Sequence, residues 1–368
     1  MTELDPSTHT GSPEDLLDEE SVGNYLISRG LTSRMPENVM RLAGGVSNVV
    51  LAAEFDDGSF VVKQSLAKLA VADEWRAPTD RVITEAETTQ ILAKITPSNV
   101  PIIYDQDVEN HTITLQLAPP GWADWKSFLM AGEVQPAIAR TLGDILASWH
   151  KETFLVTDLG ERLENPVAFE LLRIDPYYRT VARRVPELAD KLNALIARMT
   201  SRQMCLVHGD FSPKNVLVAP NTALGHGAKD PQIVAPWVID FEVAHQGDPA
   251  FDIAFMCSHL LLKSLALRNS SSALDNCLRD FTTAYSNNIM TDEASERTTK
   301  YLAPLQPDPA YIGQHIGALL LARVKGKSPV EYLDVGAKQA AWRMGVGLLD
   351  SPLEAIDELF TRRNESRS

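Results

Sequence analysis

The chain has 368 residues and a formal net charge of −15, from 49 acidic against 34 basic side chains. That length predicts about two domains, and the acidic balance argues against nucleic-acid binding, which needs basic patches. No window holds the roughly 18 unbroken apolar residues of a membrane span, the acidic, polar start is no secretion signal, and three cysteines (Cys205, Cys257, Cys277) without metal-ligand spacing indicate a reducing compartment, the cytoplasm.

Residues 1–12 are rich in Ser, Thr, Pro and acids and predict a disordered tail. Ser12 can cap a helix, with Pro13 at its first position and Asp15 three residues after the cap. Helical character then runs through Tyr25 and Leu26 to a stop at Gly30. A β region follows. Residues 39–42, 49–55 and 60–64 read as strands, the last two flanking the hairpin sequence Asp56-Asp57-Gly58-Ser59. Between the first two lies Ala43-Gly44-Gly45-Val46-Ser47-Asn48. A glycine pair joining two strands can lay backbone N–H groups over phosphates, although most such pairs are plain turns. Lys63 ends Val61-Val62-Lys63 on the strand one hairpin later.

The apolar positions Ile83, Ala86, Ile91 and Leu92 predict a helix over residues 81–95, closed before Pro97. Its acids Glu85 and Glu87 are the candidate partners of Lys63, Glu85 the first choice and Glu87 the solvent-facing alternative. The insert before this helix is longer than a minimal connection and reads as a flap, while Trp75 within it can equally pack on the lobe surface. Residues 100–104 contain Pro101 and predict an edge or irregular strand. Residues 111–117 alternate well, and the link Gln116-Leu117-Ala118-Pro119 then leaves the sheet. From Pro120 the periodicity is helical, with Ile138, Leu142, Ile145, Leu146 and Trp149 on one buried stripe. Further helices are predicted over residues 248–267, 273–286, 309–324, 328–349 and 353–362, with Gly326 as a stop and Ser328-Pro329 as a new start.

The stretch from Val207 to Glu242 carries the chemistry. It opens with Val207-His208-Gly209-Asp210-Phe211-Ser212-Pro213-Lys214-Asn215-Val216-Leu217-Val218 and closes with Trp237-Val238-Ile239-Asp240-Phe241-Glu242. Two apolar runs, 216–218 and 238–239, bracket a turn-rich link containing Pro220, Asn221, Gly225, Gly227 and Pro231, which predicts a small hairpin. Such a hairpin brings Asp210, Asn215 and Asp240 to one place. Two acids and an amide suit a hard cation such as Mg²⁺, which keeps water and substrate phosphates in its shell. An acid outside that shell can deprotonate an attacking hydroxyl. The spacing His-x-Asp-x-x-x-x-Asn is that of a kinase catalytic loop.

These motifs resemble the aminoglycoside phosphotransferase and choline kinase superfamily, which carries His-Gly-Asp at this loop. Gly247-Asp248-Pro249-Ala250-Phe251-Asp252-Ile253-Ala254 looks like the segment that follows the metal-binding Asp there, with Asp252 anchoring the loop backbone. Val62-Lys63-Gln64, then a Trp, then Asp80-Arg81 leading to Glu85-Ala86-Glu87 is similar to 5-methylthioribose kinases. The resemblance implies an α+β, protein-kinase-like two-lobe fold. A small antiparallel-sheet lobe over residues 13–117 would bind the nucleotide, and a large helical lobe over residues 118–368 would hold the catalytic loop and acceptor site.

It also implies transfer of the ATP γ-phosphoryl to a hydroxyl of a small molecule. A methylthioribose-like sugar is the first candidate, with an amino alcohol, a fructosamine or an aminoglycoside as the alternative and a non-catalytic nucleotide-binding pseudokinase as a third reading. In this scheme Asp210 is the catalytic base, and Lys63, held by Glu85, clamps the phosphates. The loop with Gly44, Gly45, Ser47 and Asn48 covers them, and Gln116 and Ala118 mark the link that offers backbone groups to adenine. Asn215 and Asp240 hold Mg²⁺. Glu242, where protein kinases have glycine, adds to the metal site or is a surface acid. Arg323 binds substrate, as one of an arginine pair does in methylthioribose kinases, although Ala322 precedes it here. The alternative for Arg323 is a helix-end cation favoured by the dipole. The implied partners are ATP and the acceptor, without nucleic acid or membrane, and a homodimer is left open.

Overall fold

The computed structural model describes residues 16–42, 47–67, 77–156, 158–163, 166–220, 235–290 and 300–367. The predicted tail over residues 1–12, the Ser12–Pro13 cap, Gly44 and Gly45, Trp75, and the link residues Asn221, Gly225, Gly227 and Pro231 lie outside the described residues.

A period of two builds the first lobe. After the short helix α1 (Val22–Ser28) come β1 (Asn38–Arg41), β2 (Asn48–Phe55) and β3 (Gly58–Ser65). Helix α2 (Arg81–Leu92) intervenes, then β4 (Ile103–Asp107) and β5 (Thr112–Gln116). The five strands form one antiparallel sheet in the order β1-β2-β3-β5-β4. Successive strand residues face opposite sides. Val49, Leu51 and Ala53 of β2, with Val62 of β3, pack with Val22 and Leu26 of α1. Val61 of β3, with Ile113 and Leu115 of β5, packs with Val82 and Ala86 of α2. Lys63, two residues beyond Val61, therefore faces α2.

Four predicted boundaries move, the first three for a local reason. Helix α1 starts at Val22, because the Asp18 carboxylate accepts the N–H groups of Glu20 and Ser21 in a turn that competes with helix. Strand β4 begins at Ile103, since residues Pro97–Asn99 form a 3₁₀ turn and Pro101 has no N–H for a ladder. A later helix begins at Val335, capped by Asp334 Oδ1 accepting the Ala337 N–H, not at Ser328-Pro329. The last helix likewise sits later than predicted, over Glu358–Arg367.

The remainder is mostly helical: α3 (Trp125–Met130), α4 (Pro136–Glu152), a π-helical stretch Glu170–Arg179, α5 (Ala189–Thr200), α6 (Ala250–Ala266), α7 (Ser271–Ile289), α8 (Pro309–Lys325), α9 (Val335–Asp350) and α10 (Glu358–Arg367). The stripe Ile138, Leu142, Ile145, Leu146 and Trp149 is buried as predicted. Helix α4 approaches α7 so closely that a Cβ on Gly143 would lie 2.3 Å from the Phe281 carbonyl oxygen. Helix α6 is buried from Ala250 to Leu265 and forms the axis of the lobe. No helix among the described residues is long and apolar enough to cross a membrane.

Short strands line the junction between the two lobes: β6 (Ala123–Asp124), β7 (Cys205–Val207), β8 (Val216–Val218), β9 (Trp237–Val238) and β10 (His245–Gly247). They pair as β6-β8-β9 and β10-β7. The predicted hairpin is β8–β9, with Val216 opposite Val238. The motif phenylalanines anchor both of its arms. Phe211 and Phe241 are fully buried, their rings 6.2 and 5.8 Å from Trp149.

Candidate active site

Two clusters of charged side chains meet where the lobes face each other. The first is built by register. Lys63 projects from β3 toward α2, and on α2 the buried face carries Val82, Glu85, Ala86 and Thr89. Lys63 Nζ lies 2.5 Å from a carboxylate oxygen of Glu85 and 2.5 Å from one of Asp240. Glu87 sits on the partly exposed side of α2. Burial opposes charge on Lys63, but Asp240 and Glu85 outweigh it and raise the ammonium above its usual range. Asp240 is held well below the carboxylate range because Lys63 and Lys214 overcome its burial. Glu85, sharing one cation with a second acid, is pushed up to about 7, chiefly by burial.

The second cluster surrounds Asp210. Gly209 takes the left-handed region at φ +76°, and a Cβ there would lie 2.8 Å from the Val243 carbonyl oxygen. The loop is fixed from behind by Asp252, whose carboxylate accepts the N–H groups of His208 at 2.7 Å and Gly209 at 2.9 Å. This is the anchoring predicted for Asp252. His208 is buried, and that burial lowers its pKa against the opposing pull of Asp252 and Asp210. Its Nδ1 accepts the Asp210 N–H at 3.1 Å, so its Nε2 carries the proton and donates to the Ile239 carbonyl at 3.2 Å. One imidazole thus ties the catalytic-type loop to Ile239, between β9 and Asp240.

Asp210 is braced on one oxygen. Its Oδ2 takes Arg173, Lys214 and Asn215, each at 2.8 Å. No donor among the described residues reaches its Oδ1. Burial raises the Asp210 pKa, but Arg173 and Lys214 pull it below the usual carboxylate range. Asn215 donates through its amide nitrogen to both the carbonyl and the carboxylate of Asp210. Asp240 adopts φ +71°, a left-handed conformation that a non-glycine residue holds only when its surroundings enforce it. Its side chain is 20% exposed, so the carboxylate opens toward the cleft.

Several predicted site residues make contacts that the sequence did not foretell. Glu242 is buried between the lobes. Its oxygens accept from Ser47 Oγ and Asn48 Nδ2, both at 2.9 Å, and from Arg81 Nε at 3.1 Å. The side chains of Ser47 and Asn48 are thereby committed to a bridge between lobes. Arg81, fully buried, closes the bridge by donating also to the carbonyls of Ser47, Leu66 and Pro78. Arg323 donates to Ser328 O and Oγ at 3.1 and 3.0 Å and contacts His259 Nε2 at 3.1 Å. Gln116 uses its side-chain oxygen to accept the Ile102 N–H and, with Ala118, lies where the sheet passes into the helical lobe.

Sequence reasoning missed Arg173, Lys214 and Arg81. Lys214 lies inside the recognised loop, and the salt bridge follows once its Asp-to-Lys spacing of four is placed on a turn. Arg81 stands at the start of a predicted helix, where a cation is unfavourable to the dipole and needs another reason. Arg173 has no such mark. It reaches Asp210 because the π-helical stretch turns it inward, where its Nε also donates to the Gly209 carbonyl at 2.8 Å.

A small antiparallel-sheet lobe joined to a larger helical lobe, with a lysine–glutamate pair facing a His-Gly-Asp loop, is the protein-kinase-like two-lobe fold. Residues 38–296 match the model of a phosphotransferase enzyme family, APH. The chain belongs to this family, as its motifs led us to expect. Among curated relatives, methylthioribose kinase of Bacillus cereus strain AH820 is 26% identical over 253 residues, 60% of this chain and 60% of that protein. Methylthioribose kinase 2 of Oryza sativa subsp. japonica is 24% identical over 280 residues, 67% of this chain and 62% of that protein. The chain thus spans about three-fifths of the length of the curated relatives it matches. Similar solved structures include macrolide 2'-phosphotransferase from Brachybacterium faecium, at 19% identity and TM-score 0.42, covering 91% of this chain and 100% of that one. Choline kinase from Streptococcus pneumoniae has 15% identity and TM-score 0.45, covering 95% of this chain and 98% of that one.

Proposed function

We propose that the protein is an ATP-dependent small-molecule kinase. Residues 13–117 serve as the nucleotide lobe and residues 118–368 as the lobe that holds the catalytic loop and acceptor. The observation that carries this reading is the convergence of Lys63, Glu85 and Asp240 with Asp210 and Asn215 in one inter-lobe cleft. Family membership supports phosphoryl transfer, and the methylthioribose kinase relatives support a sugar-like hydroxyl acceptor.

The donor set fits a divalent cation bound together with phosphates. Asn215 has an amide oxygen not used by the loop, and Asp240 has a partly exposed carboxylate. No group of three or more His, Cys, Asp or Glu that could hold a metal is present among the described residues. Two protein ligands are too few for a dedicated cage but suit Mg²⁺, which completes its shell with phosphate oxygens and water. Bound there, the ion would neutralise charge developing on the transferred group. Asp240 and Asn215 would hold it, and Lys63 would turn from Asp240 to the nucleotide phosphates.

Asp210 accepts the acceptor's proton at Oδ1, the oxygen with no protein donor. The three donors on Oδ2 fix the carboxylate and keep it ionised. His208 and Asp252 position the loop and transfer no proton. Catalysis is then mostly alignment and charge stabilisation by groups already in place. The pseudokinase alternative loses ground because Lys63, Asp210, Asn215 and Asp240 are all present and mutually placed.

The test is ADP release by purified protein with Mg²⁺, ATP and a panel of hydroxyl acceptors. Turnover should require Mg²⁺ and fall at least about a hundredfold in Asp210→Asn, in the range of general-base loss. Nucleotide affinity should stay within a few-fold. Full activity in Asp210→Asn, or in excess chelator, would refute the assignment.

A further inference from the structure

We propose that the acceptor carries an anionic group beside its reacting hydroxyl, and that this group docks on a cationic wall of Lys126, Lys214, Lys263 and Arg323 next to Asp210. The inference rests on the kinase reading of the same cleft and names the substrate class that reading leaves open.

The wall begins at the reaction centre. Lys214 is exposed at the rim, with its Nζ 2.8 Å from Asp210. Arg173 holds the same Asp210 oxygen, and Tyr177 follows one turn later on the π-helical stretch. The Arg323 guanidinium lies 4.9 Å from the centre of the Tyr177 ring and 5.9 Å from that of Phe255. Arg323 therefore stands two side chains from Asp210. It is held in place by Ser328 and His259 and has no carboxylate in ion-pair range among the described residues.

Behind it lies Lys263, fully buried on α6. Among the described residues its Nζ has only the His259 carbonyl, at 3.4 Å, and the Tyr332 ring, 5.6 Å from the centroid. No carboxylate among the described residues pairs with it. Burial first, then Lys126 and Arg323, bring its pKa down to about 7, with Asp124 the opposing acid. Asp124 is already engaged as the cap of α3, accepting from the N–H and hydroxyl of Ser127. Lys126 is exposed in the first turn of α3 and completes the rim.

The charge balance is what points to a ligand. A buried ammonium without a carboxylate either gives up its proton or takes a compensating anion, and an anionic ligand would hold Lys263 in its charged form. Elsewhere in the cleft each cation has an acid: Lys63 has Glu85 and Asp240, Arg173 has Asp210, Arg81 has Glu242. Among the described residues Lys126, Lys263 and Arg323 have no carboxylate in ion-pair range, while Lys214 shares Asp210 with Arg173. The wall's arginine fork and its two exposed lysines suit a carboxylate or phosphate. An amino alcohol or an aminoglycoside would place ammonium groups against like charge.

The test compares four acceptors of related size: D-glycerate, ribose 5-phosphate, ribose and ethanolamine. Binding is measured calorimetrically to the full chain with Mg²⁺ and a non-hydrolysable ATP analogue, and turnover by ADP release. We expect D-glycerate or ribose 5-phosphate to bind at least tenfold more tightly than ribose, and ethanolamine not to bind. Whichever of the first two binds better distinguishes a carboxylate from a phosphate. Lys126→Ala, a surface change that cannot disturb the core, should weaken the anionic probe at least fivefold and leave ribose within twofold. Lys263→Met should do the same if it folds. Preference for ribose or ethanolamine, or no saturable binding of either anion, would overturn the inference. So would equal loss for all probes in Lys126→Ala. Failure of the kinase reading looks different: the ATP analogue itself would show no Mg²⁺-dependent binding.

Discussion

At the scale of single residues, Asp210 is tuned by its neighbours. Arg173 and Lys214 hold its pKa below the usual range against the effect of burial. Removing an opposite charge at contact raises a carboxylate pKa by roughly 1–3 units. Arg173→Met should therefore move the acid limb of the kcat/KM profile to higher pH by about one unit, since Lys214 remains. Above that limb the rate should recover most of its value. An unmoved limb with a uniformly lower rate would mean that Arg173 only shapes the loop.

Lys263 gives the opposite sign. Its pKa of about 7 lies below that of an exposed lysine. Between pH 7 and roughly 10.4 the unfolded chain binds the extra proton, so stability rises with pH across that window. The charged groups that act on it are Lys126 and Arg323, which lower its pKa, and Asp124, which opposes them. Lys263→Met should remove this slope, at most about 1.4 kcal/mol per pH unit. Its melting temperature should exceed wild type most at pH 6 and converge with it toward pH 10. A gain independent of pH would show that the ammonium is not the source.

Among secondary-structure elements, the most consequential contact is the bridge from α2 and the start of β2 to the segment after β9. Arg81, Ser47 and Asn48 converge on Glu242, a residue 161 positions from Arg81. Breaking a buried pair from one side leaves a charge uncompensated and costs about 3–5 kcal/mol. Arg81→Met should cost about that much by urea unfolding, and adding Glu242→Gln should restore part of it. Non-additivity of this kind is the signature of a direct pair. If Arg81→Met cost under about 1 kcal/mol, the bridge would not be what joins the lobes.

For the molecule as a whole, the site draws Lys63 from the sheet lobe and Asp240 and Asn215 from the helical lobe. A ligand that engages all three binds only the assembled protein and stabilises it by mass action. At a hundredfold excess over Kd this amounts to about 2.7 kcal/mol. ATP with Mg²⁺ should raise the melting temperature clearly, ATP with chelator much less, and Asp240→Ala should erase the difference. Equal shifts with and without Mg²⁺ would place Asp240 outside the metal site.

What the residues alone determined was the part of the design written in short-range patterns. The His-Gly-Asp loop, the β8–β9 hairpin and the Lys63–Glu85 pair were legible because strand and helix periods dictate which side chains share a face. Family membership followed from the same motifs. The tertiary structure alone decided the partners of Glu242, the place of Arg173 and the surroundings of Lys263. Each depends on contacts between segments far apart in the chain, and no local period encodes such a contact. Glu242 illustrates the difference. Its position next to Asp-Phe left a metal ligand and a surface acid equally open, and only the fold shows it buried against an arginine of the other lobe, because a buried carboxylate needs a cation or donors beside it.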